Sequence, residues 1–310
     1  MYASPGRGPG NPVTFLPQFG RMKREDFRFF HRLRVRWAEV DMQKIVFNAH
    51  YLMYFDTAVT DYWRALAMPY QEAMHLMDGD LYVKKATVEF HASARMDDRL
   101  DVGMKCTRIG NSSMLFTGAI FRAEDLLISC ELVYVFADPA TQTSRPVPGI
   151  LREMLSGYEA GQAMVQVKTG SWQELATDAG RIRTEVFVQE QRIPAELEWD
   201  AFDATSLHAV AYNRLGKAIA TGRLMPAEDG VAKVGRMAVH QVLRGCRVGE
   251  PVLRALADAS ERRGDRGLKL HAQRTAKDFY ARLGFTPEGE PFEEAGIPHL
   301  AMASALPLAR

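Results

Sequence analysis

The sequence has few cysteines and no long apolar run. Its 310 residues include three cysteines, Cys106, Cys130 and Cys246, which are far apart and odd in number. They form neither a disulfide framework nor a CxxC metal site, so we expect no metal and a reducing, cytoplasmic environment. No apolar stretch reaches the roughly 20 residues that a transmembrane helix requires, and we therefore expect no membrane partner.

Neither positive nor negative charge is in clear excess. Lysine and arginine number 39 against 38 aspartates and glutamates, which gives a net charge of +1. Such a balance does not favour nucleic acid as a partner. The length predicts two domains. The first 22 residues are rich in glycine and proline, so we predict a disordered tail over 1–22, followed by domains at 23–158 and 163–306.

The most informative stretch runs from Trp37 to Tyr62. Asp41 lies in a polar loop, and Asn48 is a candidate N-cap for the helix that follows. The helix is predicted to bury a face with three- and four-residue spacing, made of Tyr51, Phe55, Ala58, Tyr62 and Leu66. Its N-terminus can polarise a carbonyl through unbonded N–H groups. From the residues alone, Asp41 is either a turn residue or a carboxylate presented to a site.

Strand patterns follow this helix. Residues 100–107 alternate between apolar and polar side chains, and 81–91, 114–122 and 128–137 are further strand candidates, with another at 27–37 before the helix. One long helix followed by successive strands predicts an α+β domain, in which an antiparallel sheet wraps around the helix.

Several motifs in this half occur in a familiar order. They are Val35-Arg36-Trp37, Glu39-Val40-Asp41-Met42-Gln43, Val46-Phe47-Asn48-Ala49-His50-Tyr51, Gly110-Asn111-Ser112-Ser113 and Pro146-Val147-Pro148. Over residues 27–155 they resemble the hotdog-fold acyl-CoA thioesterases of the 4-hydroxybenzoyl-CoA thioesterase-like group. Lys44 stands where that family usually has glycine.

The resemblance implies a hotdog domain that hydrolyses an acyl-CoA thioester. Asp41 would act as nucleophile or general base, and the helix N-terminus near Asn48 would polarise the thioester carbonyl. His50 would bind substrate or simply pack. A homodimer or tetramer through the hotdog domain is also implied, because each site is built where two protomers meet.

The second half contains a basic, glycine-containing loop between a strand at 231–240 and a helix that runs to about residue 263. The loop consists of Arg244, Gly245, Cys246, Arg247, Val248 and Gly249. Its backbone N–H groups and the helix N-terminus can hold a phosphate. A plain turn with solvated arginines is the alternative.

Further motifs surround this loop. They are Val186-Phe187-Val188-Gln189-Glu190-Gln191, Glu198-Trp199-Asp200 with Asp203 and His208, Gly235-Arg236-Met237-Ala238-Val239, Ala272-Gln273, Phe279-Tyr280, Leu283-Gly284-Phe285, and Glu294 with Gly296-Ile297-Pro298-His299. In this order, over 163–305, they resemble the GNAT N-acetyltransferases, most closely the ElaA-like branch. Arg247 stands where that family's loop normally has glycine.

This second resemblance implies a mixed α/β domain that transfers acetyl from acetyl-CoA to an amine. The backbone of Met237, Ala238 and Val239 would face the pantetheine arm, and the Arg244–Gly249 loop would hold the pyrophosphate. Tyr280 would protonate the leaving thiolate, or else pack beside Phe279 and Phe285. The base is open: His271 and His299 are candidates, and each has a structural role as its alternative.

Together the resemblances imply a bifunctional CoA-dependent enzyme. Acyl-CoA and acetyl-CoA would be substrates, with no permanently bound cofactor, and the acceptor would be an amine of a small molecule or a protein. Two alternatives are that only the acetyltransferase is active, with the hotdog domain as a dimerisation module, or that the chain is a non-enzymatic acyl-CoA sensor or scaffold.

Overall fold

The computed structural model describes residues 22–309, so almost all of the predicted tail lies outside the described residues. Two sheets, of five and seven strands, organise this part of the chain. The fold prediction is confirmed: an α+β half precedes a mixed α/β half. Within residues 22–309 no helix is both long and apolar enough to cross a membrane.

The first half folds around one long helix. Its elements are β1 (Phe29–Arg34), α1 (Asn48–Ala65), α2 (Tyr70–Leu76), β2 (Asp80–Phe90), β3 (Arg99–Ile109), β4 (Ser113–Arg122), β5 (Asp125–Ala137) and α3 (Gly149–Glu159). The strands pair antiparallel in the order β1-β3-β4-β5-β2. A Cβ built at Gly118 of β4 would lie 2.7 Å from the Phe55 ring, so glycine lets α1 lie close against the sheet.

Helix α1 buries the face that the sequence predicts. Its apolar positions at three- and four-residue spacing, together with Leu66 just after it, are all buried. The predicted N-cap is wrong, however, because the helix begins at Asn48 and Phe47 is the cap residue. The amide of Phe47 donates to the carbonyl of Glu39 at 2.9 Å, as in a pair of β-strands. Phe47 therefore stays extended, and the helix begins at the next residue.

The second half contains helices on a larger sheet. Its elements are β6 (Val165–Gly170), α4 (Trp172–Arg183), α5 (Ala195–Glu198), β7 (Leu207–Asn213), β8 (Ala218–Glu228), β9 (Val231–Val239), α6 (Gly249–Arg263), β10 (Gly267–Gln273), α7 (Lys277–Ala281), β11 (Thr286–Glu294) and β12 (Ile297–Ala305). Strand β11 was not predicted, because most of its side chains are exposed and polar and show no alternation. The π-helical segment Thr184–Glu190 after α4 was also missed.

The larger sheet opens in its middle. Strands β9 and β10 run parallel and pair from Val231 with Gly267 to Val234 with Leu270, after which both strands continue without pairing to each other. On its other edge β9 pairs with β8, and an irregularity in that pairing falls where Arg236 adopts a φ of 51°. A bulge of this kind bends a strand away from its neighbour.

The two halves touch through α2. His240, just after β9, contacts Glu72 of α2 with 3.1 Å between Nε2 and Oε1. The ammonium of Lys217 contacts the same carboxylate. The corner of the first half therefore abuts the chain that leads from β9 into the Arg244–Gly249 loop.

Candidate active sites

Asp41 lies at the base of a tight turn directly before α1. Its amide donates to the carbonyl of Ile45, and the amide of Lys44 donates back to the Asp41 carbonyl, both at 2.9 Å. One carboxylate oxygen of Asp41 accepts the amide of Gln43 at 2.8 Å. The other has no hydrogen-bond partner within residues 22–309. Asp41 thus fills the predicted turn role and still presents an oxygen to the surface.

The turn places Asp41 seven residues before α1 begins. Asn48 and Ala49 are exposed residues, and their backbone amides make no hydrogen bond within the described part of the chain. These amides carry the positive end of the helix dipole and can donate to a carbonyl oxygen. His50 is half-buried, and its ring packs edge-on against Phe47 with 6.1 Å between centroids.

Glu39 has a structural role that sequence reasoning missed. Its buried carboxylate accepts from the hydroxyl of Tyr54 and from the backbone amide of Arg36, both at 2.7 Å. Burial raises the pKa of Glu39, but the hydrogen bonds from Arg36 and Tyr54 outweigh it and leave the pKa below its usual value. The signal was the Arg36-x-x-Glu39 spacing two residues before Asp41. Glu39 thereby anchors the turn.

Where β9 and β10 separate, the larger sheet forms a cavity of about 460 Å³. Among the predicted site residues, Met237, Tyr280, His271 and His299 line it together. The side chain of Ala238 does not line the cavity and is buried among side chains of α4. Neither Val239 nor the Arg244–Gly249 loop is part of the cavity wall.

Tyr280 fills its predicted packing role, and its proposed role as an acid stays a prediction. Its ring packs against Phe279 and Phe285, with centroids 4.9 Å and 5.9 Å away. Its hydroxyl makes no hydrogen bond within residues 22–309. Burial holds the pKa of Tyr280 well above its ordinary value, so the phenol keeps its proton at neutral pH and can donate it.

Both candidate histidines have a fixed Nδ1 partner. The Nδ1 atom of His271 lies 2.9 Å from a carboxylate oxygen of Glu294, and that of His299 lies 2.7 Å from the carbonyl oxygen of Ile297. Because both partners only accept, Nδ1 carries the proton in each neutral ring and Nε2 has the lone pair. Glu294 itself has a lowered pKa, since the hydrogen bond and charge of His271 outweigh its burial.

Hydrogen bonds of Arg244 hold the start of the Arg244–Gly249 loop in place. The guanidinium of Arg244 makes two hydrogen bonds of 2.6 Å to Glu190 and one of 3.2 Å to the carbonyl of Val239. Arg247 is exposed and makes no hydrogen bond or ion pair within the described residues. Gly245 and Arg247 have φ values of 82° and 61°, so the backbone turns through two left-handed residues.

Known protein families match the two halves separately. Residues 171–306 match the acetyltransferase (GNAT) domain family, and residues 43–129 match the thioesterase superfamily. The chain is 39% identical to the uncharacterized N-acetyltransferase YjcF of Bacillus subtilis over 131 residues, which are 42% of this chain and 92% of that protein. It is 32% identical to protein ElaA of Escherichia coli over 127 residues, 40% of this chain and 82% of ElaA.

The other half has its own relative. The acyl-CoA thioester hydrolase YbgC of Escherichia coli is 31% identical over 117 residues, 37% of this chain and 87% of that protein. The chain belongs to both families. It joins a hotdog thioesterase domain to an ElaA-like GNAT domain, as the sequence motifs predict.

In the GNAT domain an ion-pair network forms one wall of the cavity. Arg183, only 1% exposed, contacts Glu198 at 2.5 Å and Asp203 at 2.7 Å. Arg223 contacts Asp203 at 2.7 Å and Asp200 at 2.6 Å. Arg236 then contacts Asp200 at 3.1 Å and Glu198 at 3.3 Å. Three arginines and three carboxylates therefore neutralise one another, which explains the Glu198-Trp199-Asp200 motif in physical terms.

Burial and charge act differently on the acids of this network. Burial dominates at Glu198 and raises its pKa. At Asp203 burial is outweighed by hydrogen bonds from Arg183 and Arg223, so the pKa is lowered. Within residues 22–309 the GNAT and thioesterase domains contain no cluster of three His, Cys, Asp or Glu side chains placed to hold a metal ion.

Proposed function

We propose that the chain is a bifunctional enzyme that hydrolyses an acyl-CoA thioester in its N-terminal domain and transfers acetyl from acetyl-CoA to an amine in its C-terminal domain. One observation carries the proposal: two separate acid–base sites lie in the two domains whose families act on thioesters. Asp41 lies in the turn that leads into α1, and His271 and Tyr280 line one cavity where β9 and β10 separate.

For hydrolysis, the thioester carbonyl oxygen accepts hydrogen bonds from the amides of Asn48 and Ala49, which stabilise the developing oxyanion. The unbonded oxygen of Asp41 either attacks the acyl carbon directly or takes a proton from a water that attacks it. The C–S bond then breaks. When water attacks, CoA leaves as a thiol with the proton that Asp41 took from that water, and in a direct attack it leaves as a thiolate that takes a proton from solvent. A direct attack adds a second step, in which water hydrolyses the acyl–Asp41 anhydride.

For acetyl transfer, Nε2 of His271 takes a proton from the amine as its nitrogen bonds to the acetyl carbon. We favour His271 over His299 because the carboxylate of Glu294 stabilises the imidazolium that forms, whereas the carbonyl beside His299 carries no charge. The C–S bond breaks, and the hydroxyl of Tyr280 gives its proton to the CoA thiolate. Proton exchange with water then restores His271 and Tyr280.

CoA would bind two parts of the GNAT domain, the end of strand β9 and the loop that follows it. The backbone of Met237, Ala238 and Val239 would meet the pantetheine amides. The Arg244–Gly249 loop would take the pyrophosphate, with Arg247 as its charge partner because Arg244 is engaged with Glu190.

A second copy of the chain is proposed to pair along β2. This 11-residue strand is an edge of its sheet and exposes Tyr82, Val83 and Phe90. Long apolar edge strands are normally covered. Replacing Val83 with lysine should shift the mass measured by light scattering from dimer or tetramer toward monomer. An unchanged mass would mean that another surface holds the oligomer, or that none forms.

Crossed variants test the two activities in the full-length protein. CoA release from a panel of acyl-CoAs reports hydrolysis, and acetylation of a panel of amines reports transfer. Asp41→Asn should abolish hydrolysis and spare transfer, while Tyr280→Phe should lower transfer about tenfold to a thousandfold and spare hydrolysis. Transfer without any hydrolysis would leave the hotdog domain as a dimerisation module. CoA binding without either activity would favour a sensor.

A further inference from the structure

Lys233 is a cation in the GNAT cavity without a carboxylate at its side. Its half-buried side chain lines the cavity, and its one polar contact within residues 22–309 is Nδ1 of His271 at 3.5 Å. That nitrogen already donates its proton toward Glu294 at 2.9 Å, so it offers the ammonium no acceptor. Lys233 therefore faces the cavity with unused donors.

The other charges of the cavity wall are already matched. Arg223 and Arg236 pair with carboxylates of the network described above. Glu294 pairs with His271. Among the lysine and arginine side chains that line the cavity, Lys233 is the one with no carboxylate oxygen within 4 Å in the described part of the chain.

The surroundings of Lys233 are themselves mainly positive. Lys269 stands directly opposite it on β10, and Arg223 and Arg236 act on it as well. Burial lowers the pKa of Lys233 most, these three cations lower it further, and Glu294 raises it.

We propose that the amine acceptor carries a carboxylate and that Lys233 binds this group. The inference rests on the proposed acetyltransferase activity and names its substrate class, which is an amino acid or a similarly short amino-carboxylate. Because Lys233 lies next to His271, a carboxylate bound there brings an amine on a nearby carbon toward the imidazole that takes its proton. Lys233 is thus a specificity-determining residue.

Matched acceptors test the proposal. Acetylation is measured for several α-amino acids and for the corresponding amino-acid amides, in which a neutral carboxamide replaces the carboxylate. The acid of the best pair should exceed its amide in kcat/KM by about tenfold to a hundredfold, which is typical of one charge-assisted hydrogen bond. In Lys233→Gln this ratio should fall toward one, mainly through KM, and Lys233→Arg should retain most of it.

Lys269→Gln is the matched control. Lys269 faces Lys233 from the neighbouring strand, but it pairs with Glu228 at 3.6 Å and does not line the cavity, so its loss should change the ratio far less than Lys233→Gln does. Equal use of acids and amides, or a preference that survives in Lys233→Gln, would overturn the assignment while leaving the transferase in place. An absence of turnover with every amine would remove the acetyltransferase itself and the inference with it.

Discussion

The side-chain amide of Asn213 donates a hydrogen bond of 3.1 Å to the carbonyl of Ala67, and so joins the GNAT domain to the thioesterase domain. Both residues are buried. Ala67 has a φ of 54°, a left-handed conformation that helps to end the long helix. With Glu72 contacting His240 nearby, the two domains share a polar contact at one corner.

We predict that Asn213→Asp weakens the contact between the domains. The carboxylate keeps the oxygen that accepts the amides of Leu215 and Lys217, but it replaces the donor with a charge that faces a carbonyl. A buried group left without its partner costs about 1–3 kcal/mol. Denaturant unfolding should show that loss, and the two domains should begin to unfold in separate transitions.

Asn213→Ser is the comparison, because it also removes the amide donor but introduces no charge. A smaller loss than in Asn213→Asp is expected. Unfolding of Asn213→Asp at the same midpoint as the parent protein would show that the contact contributes nothing to stability.

Lys44 and Arg247 share an unusual backbone conformation. Their φ values are 63° and 61°, and the family resemblances lead us to expect glycine at both positions. Left-handed backbone costs a side-chain-bearing residue roughly 1–2 kcal/mol, whereas glycine adopts it freely. Both positions therefore have a backbone conformation that glycine would adopt without this cost.

Replacing Arg247 with glycine should separate backbone strain from ligand binding. The free energy of unfolding should rise by up to about 1 kcal/mol, because relief of strain exceeds the added freedom of the unfolded chain. Acetyl-CoA affinity, measured by titration calorimetry, should fall and become less sensitive to salt. A variant with unchanged affinity would show that Arg247 makes no phosphate contact. Gly245→Ala, at a φ of 82°, should lose stability and serves as the opposite control.

The sequence predicted the elements whose patterns are local. The buried face of α1 follows from side-chain spacing. The start of α4 is equally local, since the Ser171 amide donates to Glu174 three residues later at 2.8 Å. The pairing of His271 with Glu294 was not predictable. It depends on β11, whose exposed polar residues lack alternation, and 23 positions separate the two side chains.

The start of α1 was mispredicted for a similar reason. Asn48 is a good cap by its residue type, but the contact between Phe47 and Glu39 decides where the helix begins. The role of Asp41 also required more than local pattern, because a turn aspartate and a catalytic one look alike. Its remaining oxygen and the exposed amides of α1 become visible only in three dimensions. The catalytic roles themselves stay predictions.

Acid should destabilise the GNAT domain through Asp203. Its pKa is lower in the folded than in the unfolded protein, so the folded state binds fewer protons and gains stability above about pH 4. This gain is lost as pH falls through the folded pKa. The raised pKa of Glu198 acts in the opposite direction and offsets part of the effect.

Asp203→Asn should therefore flatten the dependence of unfolding free energy on pH below about pH 4. At pH 7 it should cost about 3–5 kcal/mol, because Arg183 and Arg223 lose a buried partner. Urea unfolding over a pH series measures both effects. Asp258→Asn, the same change on the exposed face of α6, should alter neither. An unchanged slope in Asp203→Asn would mean that other acids control the response.

Cys246 offers a direct probe of the Arg244–Gly249 loop. Burial raises the pKa of Cys106 and of Cys130 to about 12, so these thiols should react slowly at neutral pH. Cys246 is half-buried in the loop, and its thiol pKa is raised as well, mainly by burial. We nevertheless expect a maleimide to modify Cys246 first, with one adduct in the intact mass that is lost in Cys246→Ser.

Saturating CoA should slow this reaction about tenfold if the pyrophosphate covers the loop, because each tenfold change reflects about 1.4 kcal/mol of protection. Equal labelling rates with and without CoA, at concentrations that saturate acetyl transfer, would place the pyrophosphate elsewhere.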